Sequence, residues 1–489
     1  MPSYKVKVKW GKEKFEDVEC NMDEPPVLFK AQMFALSGVE PDRQKVMLKG
    51  AVLKDDDWGN LKIKDGTLFL MMGSAGELPT EPREKPKFVE DMSETQLASA
   101  LSLPAGLNNL GNTCYMNATV QCLHSVPELR DALKRYQGRP ADASNPAASI
   151  TASLKDLFDT LEKTSQDLPP IVLLHFMHLA FPRFAEKSEH GGFQQQDANE
   201  CWTEMVRVLQ QQVPLTAAAD GTLVAAASPP AFMDHYFGGK LESVLKCVEC
   251  DEEQPTTSNE DFFQLSCFIS QDVKYLHTGL KSRMEENITK MSSVLGRDAE
   301  YHKTSQICRL PGYLTIQFVR FFYKEKGAIN AKILKDVKFT MMLDVFDLCT
   351  PELQQKLIPL RTRFKEQEDK QLELTAIKKD KSEVKEETME VDKVEKKTRS
   401  EPYSFEDDVG SNNSGYYELR AVLTHKGRSS SSGHYVAWVR KSKSEWTMFD
   451  DDNVSAVSEE DILKLSGGGD WHTAYVLLYG PRILEVEEE

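Results

Sequence analysis

From Tyr4 to Trp10 large apolar residues alternate with lysines, Tyr4, Val6, Val8 and Trp10 against Lys5, Lys7 and Lys9. A period of two sends successive side chains to opposite faces, so this stretch predicts a strand with one buried face. Gly11 and Lys12 turn the chain, and Phe15 to Cys20 reads as the return strand of a hairpin. Pro25 and Pro26 then open a helix whose apolar face is expected to hold Val27, Leu28, Phe29, Ala31, Phe34 and Ala35. Gln44 to Leu48 and Thr67 to Met71 supply later strands. From Glu77 to Met92 the chain turns polar and carries Pro79, Pro82 and Pro86, the pattern of a solvated linker. A second, larger domain starts near Leu101, and inside it Lys378 to Arg399 interleaves Lys and Glu with few large apolar residues. That run predicts an exposed, mobile insertion or a fraying charged helix spanning about residues 365–402.

Hairpin, helix and short strands within residues 1–76 resemble a ubiquitin-like β-grasp domain, including a Lys49-Gly50 turn and an Asp65-Gly66-Thr67-Leu68 entry to the last strand. A modifier of that fold ends in a free diglycine tail, whereas this chain continues past Met72 through Gly73-Ser74-Ala75-Gly76. The resemblance therefore implies a fixed docking module at 1–76, a linker at 77–100 and a second domain at 101–483.

At 489 residues the chain exceeds what one hydrophobic core holds, in keeping with that division. Lys and Arg number 60 against 77 Asp and Glu, a net charge of −17 that disfavours wholesale binding of nucleic-acid phosphates. No apolar run reaches bilayer-spanning length and the first residues have no signal-peptide core, so a cytoplasmic or also nuclear location is expected. The nine cysteines are then expected as reduced thiols, and any special one must be marked by its context.

One is so marked. Gly106-Leu107-Asn108-Asn109-Leu110-Gly111-Asn112-Thr113 reads as a tight loop leading to Cys114, after which Met116, Val120, Leu123 and Val126 recur at helical intervals. A thiol at a helix N-terminus meets exposed amides and the positive end of the dipole, which favour a thiolate nucleophile. Such a nucleophile needs a base close in space. Of ten histidines, His434 stands at the mouth of a strand, in Ser432-Gly433-His434-Tyr435-Val436-Ala437-Trp438-Val439. Trp446 to Phe449 reads as the partner strand and ends in Asp450, Asp451 and Asp452, so a hairpin brings a carboxylate to the imidazole. Asp450 is the preferred orienting acid and Asp451 the reserve.

These residues resemble the ubiquitin-specific protease family. Its Cys box, G-L-x-N-L-G-N-T-C-Y-M-N, is met by residues 106–117, its Gln-rich box by Gln195-Gln196-Asp197-Ala198-Asn199-Glu200, and its His box by His434, Trp446, Phe449 and Asp450. Leu310 to Leu314 with Arg320-Phe321, and Ala474 to Tyr479, resemble two further family strands; Val319 departs from the family's usual lysine. The resemblance implies an α+β fold, papain-like with thumb, palm and fingers. It implies a thiol-dependent deubiquitinase without a cofactor, acting on ubiquitin and ubiquitinated proteins, with Cys114 as nucleophile, His434 as base and acid, and Asn109 binding the oxyanion. Gln196, Asp197, Gly433 and Tyr435 are expected to contact substrate. Pairing with a ubiquitin-like domain narrows the resemblance to the proteasome-associated members, which implies the proteasome as partner; the alternative is a catalytically weak ubiquitin-binding regulator or scaffold there.

Two further features bear on that expectation. Many family members hold zinc at the fingertips with two cysteine pairs, but Cys247-Val248-Glu249-Cys250 has no second pair before Leu310, which predicts a finger without metal. Lys426-Gly427-Arg428-Ser429-Ser430-Ser431-Ser432 reads as a flexible run ending beside His434, with Ser431 and Ser432 as candidate phosphorylation sites that regulate access to the cleft.

Overall fold

The computed structural model describes residues 3–59, 61–73, 103–138, 145–188, 191–215, 230–324, 329–382, 398–429, 432–469 and 471–487. The expected linker at 77–100 lies outside them, as does Ser431. The chain divides into two compact units, Met1–Asp91 and Met92–Glu489.

In the first unit the alternating N-terminal segment forms β1 (Ser3–Trp10) and pairs with β2 (Glu13–Asn21). Helix α1 (Pro26–Ser37) follows, then β3 (Lys45–Leu48), β4 (Ala51–Val52) and β5 (Leu68–Met72). The sheet runs β2-β1-β5-β3-β4 with β1 and β5 parallel, which is the β-grasp arrangement. Its core gathers Val6, Val8, Phe29, Met33, Val46, Phe69 and Met71. The helical face differs from the expected one. Phe29, Lys30 and Met33 are turned inward, whereas Val27, Leu28 and Phe34 are exposed. Positions 29, 33 and 37 fall on one side of a 3.6-residue helix, and Lys30 joins that side because Asp55 accepts its ammonium at 2.5 Å.

The second unit contains β6 (Gly239–Cys247), β7 (Thr256–Phe262), β8 (Leu265–Phe268), β9 (Glu285–Met291), β10 (Asp298–Arg309), β11 (Leu314–Val319), β12 (Phe321–Lys324) and β13 (Ile329–Lys332). It continues with β14 (Met342–Asp344), β15 (Thr398–Ser400), β16 (Tyr416–Ser429), β17 (Ser432–Arg440), β18 (Trp446–Asp450), β19 (Asn453–Val457), β20 (Thr473–Pro481) and β21 (Glu485–Glu487). The large sheet runs β19-β18-β17-β16-β20-β11-β8, with β14 also paired to β16. Every residue of β20 is buried because both faces of this sheet are covered. On one face Tyr475 and Leu478 pack with helices α2 (Cys114–His124), α3 (Pro127–Arg135), α4 (Pro146–Leu161), α5 (Ile171–Ala180) and α6 (Ala198–Gln212). On the other, Leu477 and Tyr479 meet a second core of Val337, Phe339, Val345 and Ile462. Arg320, fully buried behind β11, donates to the carbonyls of Ala474, Ile333, Lys335 and Ser466.

A separate sheet, β7-β6-β10-β9, forms the fingers. At its tip Cys247 is buried against Ala299 and Tyr301. Glu253 accepts from Ser292 Oγ at 2.6 Å and from Tyr301 at 2.8 Å, while Glu249 accepts from Arg297 at 2.7 Å and from the Glu300 amide at 2.8 Å. An apolar cluster and two bridging carboxylates thus hold the fingertip.

Part of the insertion expected over 365–402 lies among the described residues. Residues 351–382 form one long helix, α7 (Pro351–Ser382), and 383–397 lie outside the described residues. The helix is docked by buried Phe364 and by Arg482 pairing with Glu368 at 2.7 Å. The chain returns as β15, which pairs with β21.

Candidate active site

Thr113 precedes α2, so Cys114 occupies the first helical turn with its backbone committed to the helix and its side chain facing the β17 side of the molecule. The thiol is 2% exposed. Its hydrogen-bonded neighbour from the Gln-rich box is Gln195, whose Nε2 donates to Sγ at 3.3 Å.

His434 lies on β17 opposite Lys426 of β16. Its Nε2–H donates to Asp450 Oδ1 at 2.5 Å, and Cys114 lies close enough to act on its imidazole. The Asp450 carboxylate, and then the thiol, push the imidazole up to about 10 against the opposing effect of burial. Asp450 is correspondingly held below the usual carboxylate range, chiefly by His434. The site thus favours an imidazolium paired with the Asp450 carboxylate.

The two adjacent acids have separate partners. Asp450 ends β18, whereas Asp451 turns through a left-handed conformation with φ 54°. Its carboxylate is 3.9 Å from His434 but accepts from Asn109 Nδ2 at 2.9 Å and from Asn117 Nδ2 at 2.8 Å. Burial raises its affinity for a proton, and the two amides oppose that. Asn109 Oδ1 meanwhile accepts from the Gly111 and Thr113 amides, fixing the loop before Cys114. Gly106 is required where the two segments meet, because a Cβ there would come within 2.8 Å of the Asp451 and Asp452 backbone. Among the described residues, His434, Asp450 and Asp451 are also the group of three such side chains close enough to share a cation, and all three are engaged in the bonds above.

The residues expected to contact substrate divide. Asp197 caps α6, accepting from the Asn199 and Glu200 amides, and Tyr475 donates to both of its oxygens. Its carboxylate is spent on that junction. Tyr435 is 1% exposed, with its ring 4.7 Å from that of His425, so it forms the wall of the site rather than its surface. Gly433 is exposed, and its φ of 120° with Lys426 O 2.3 Å from any Cβ excludes a side chain. Gln196 is half-buried beside Gln195. The expected flexible run is corrected in part: Lys426 to Ser429 belong to β16, Ser432 opens β17, and Ser429 pairs with Ser432. Lys426 is held over the Trp471 ring at 5.0 Å.

Sequence reasoning missed Gln195 as the residue on the thiol, Asn117 as a second support for Asp451, and His425 beneath the hairpin. Gln195 was visible within its box, but only the structure shows which of three successive glutamines turns inward.

Known proteins carry the same architecture. The family model for ubiquitin carboxyl-terminal hydrolase matches residues 105–479. Ubiquitin carboxyl-terminal hydrolase 7 of Arabidopsis thaliana is 42% identical, with the match covering 98% of this chain and 99% of that protein. Ubiquitin carboxyl-terminal hydrolase 14 of Caenorhabditis elegans is 42% identical over 98% of this chain and 94% of its own. Ubiquitin carboxyl-terminal hydrolase 6 of Schizosaccharomyces pombe is 39% identical over 97% and 98% respectively. Among solved structures, the SAGA Ubp8/Sgf11/Sus1/Sgf73 DUB module bound to ubiquitin aldehyde matches in fold with a TM-score of 0.51 and 22% identity, covering 78% of this chain and 70% of that one. With a matching family model over most of its length and relatives near 40% identity end to end, the chain belongs to the ubiquitin carboxyl-terminal hydrolase family of cysteine deubiquitinases.

Proposed function

We propose that this deubiquitinase hydrolyses the isopeptide bond after the C-terminal glycine of ubiquitin, at the proteasome, with Cys114, His434 and Asp450 as its catalytic residues. The observation that carries the roles is the His434 imidazole bonded to Asp450 and close enough to Cys114 to feel it. Cys114 attacks the carbonyl carbon and the lysine amine leaves with a proton from His434, giving a thioester. Water, deprotonated by His434, then releases ubiquitin's carboxylate and restores the thiol. Asp450 fixes the ring so that one nitrogen faces the sulfur. Asn109 has two amide protons, of which one is held by Asp451, and the other is available to the oxyanion.

Proteasome docking is assigned to the first unit. The outer face of its sheet presents Leu68, Leu70 and Met72 of β5 and Val52 of β4, all exposed, beside Lys7 and Lys9, which pair with Leu68 and Leu70 across β1 and β5. An apolar patch with a basic rim suits a receptor for ubiquitin-like folds. A cytoplasmic and nuclear location follows from that partner.

A second reading, a ubiquitin-binding regulator of low basal activity, is favoured by the burial of Cys114, which is 2% exposed and hydrogen-bonded to Gln195. Hydrolysis of a ubiquitin C-terminal reporter by the full chain, with and without proteasomes, separates the two. Turnover that depends on Cys114 and rises with proteasomes supports the first reading, and turnover unaffected by Cys114→Ala would overturn it.

A further inference from the structure

His425 lies one cross-strand step from the catalytic hairpin, paired with Tyr435 while Lys426 pairs with His434. It is fully buried. Its Nε2–H donates to the Ser432 carbonyl at 3.1 Å, and its Nδ1 has no hydrogen-bond partner among the described residues. That bond falls where the β16–β17 register slips, between Lys426 and Ser429, so the imidazole ties the strands just where regular pairing lapses. The ring also sets the shape of the next residue. A Cβ on Gly433 would come within 2.6 Å of His425 Nε2 and 2.3 Å of Lys426 O, so the peptide leading into His434 rests directly on this side chain.

The ring is itself fixed from several sides. Tyr435 packs at 4.7 Å, Phe321 meets it edge-on at 5.2 Å, and Lys332 Nζ donates to the His425 carbonyl at 2.5 Å. Burial first, and then the Lys332 ammonium, push the imidazole down to about 3, with His434 and His472 acting in the same direction. A neutral ring with Nε2 protonated is the form that can donate to Ser432, and leaves a lone pair at Nδ1. A buried polar ring with one nitrogen unpartnered is an expensive filler for a site that phenylalanine or leucine would occupy without that cost. What the imidazole has and those lack is the single N–H aimed at Ser432.

We propose that His425 is a positioning residue for the reaction: its Nε2–H holds the Ser432–Gly433 peptide, and through it aims His434 at Cys114. The inference rests on the assignment of His434 as catalytic base. A small displacement of a catalytic group can cost about a hundredfold in rate without altering substrate affinity.

The test uses the full chain and a ubiquitin C-terminal reporter. His425→Phe keeps the ring packing and removes the donor, while His425→Gln restores an N–H. Expected are a kcat lowered roughly tenfold to a hundredfold in His425→Phe with KM and ubiquitin affinity within about twofold of wild type, and substantial recovery of kcat in His425→Gln. A wild-type kcat in His425→Phe, or a loss that appears in KM alone, would overturn the inference. If His425→Phe unfolds, His425→Gln against His425→Leu decides the question by the same split, and equal losses in those two count against the N–H. His434→Ala in parallel keeps the readings apart: if it retains activity the catalytic assignment fails, whereas a dead His434→Ala beside a fully active His425→Phe removes only the positioning role.

Discussion

Asn109 and Asp451, 342 residues apart in sequence, are joined by a 2.9 Å hydrogen bond that ties the loop before the nucleophile to the turn after Asp450. Asn117 reaches the other oxygen of the same carboxylate, and Leu107 N donates to the Asp451 backbone carbonyl at 2.9 Å. Asp451 is thus built to hold Asn109 rather than to share the imidazole. Asn109→Ala should lower kcat by about a hundredfold, the usual cost of one oxyanion donor. Asp451→Ala should cost a similar factor by releasing Asn109, and the double mutant should be little worse than either single one, because the pair acts as a unit. Fully additive losses in reporter kinetics would show that the two residues act separately.

Asp450 is the largest cause of the raised proton affinity of His434, with the Cys114 thiol second. A histidine raised from 6.5 to about 10 contributes stability that is complete below 6.5 and disappears as pH rises through about 10. The imidazolium should likewise persist up to that range. In Asp450→Asn the alkaline limb of the pH profile for alkylation of Cys114 should move toward neutrality, and the stability difference between pH 6.5 and pH 10 should shrink. An alkaline limb that stays in place would show that Asp450 does not govern the imidazole.

Much of this site is legible in the chain because its local signals are strong. A Gly/Asn-rich loop followed by apolar residues at helical spacing locates Cys114, and a glycine opening an apolar strand locates His434 at its mouth. The orienting acid is less direct, since Asp450 and Asp451 are adjacent and only the left-handed backbone at Asp451 sends the two carboxylates to different partners. What stays hidden depends on contacts distant in sequence. The meeting of Gln195 with Cys114 spans 81 residues, and the seat of His425 under Gly433 depends on a register slip that no pattern marks. The face of α1 is misjudged for a related reason: nearly every position there is apolar, and the packing of Phe29 and Met33 on the sheet, with Lys30 drawn in by Asp55, decides which side is inner.

At the fingertip Cys247 packs with Ala299 and Tyr301 while Glu253 and Glu249 bridge the strands. Purification in zinc-replete medium should leave far less than one zinc per chain, and chelators should not shift Tm. Cys247→Ala should cost about 1 to 2 kcal/mol through lost packing rather than lost metal. Elemental analysis showing one zinc that departs with Cys247 would contradict this.

Leu70 is 45% exposed in the middle of the outer row of β5, and no inward contact requires its size. Leu70→Asp should therefore fold normally yet co-purify poorly with proteasomes, and deletion of residues 1–76 should do the same while Cys114 keeps its reactivity toward small thiol reagents. The linked patch acts by raising the catalytic unit's effective concentration at its substrates, so the loss should be felt most on proteasome-bound conjugates. Co-purification unchanged in both variants would move the docking surface elsewhere.

Ser432 is exposed at the start of β17, pairs with Ser429, and offers its carbonyl to His425, so its hydroxyl is accessible while its backbone is bound into the hairpin two residues before His434. A phosphate there would add about −1.5 to −2 charges next to a strand end held by Lys426 over Trp471. The added charge has two courses: attraction to Lys426, which draws that lysine off the indole, or repulsion from Asp450 and Asp451 across the site. Both displace the hairpin relative to Cys114. Ser432→Glu should accordingly change turnover of a ubiquitin reporter several-fold, upward where the unmodified hairpin obstructs the ubiquitin tail, while Ser432→Ala stays near wild type. Salt separates this from a packing effect, because screening shortens the reach of an added charge to about 8 Å at physiological ionic strength and less above it. A difference between the Glu and Ala variants that fades at high salt supports regulation through charge, and identical rates at every salt concentration would remove Ser432 from the regulatory account.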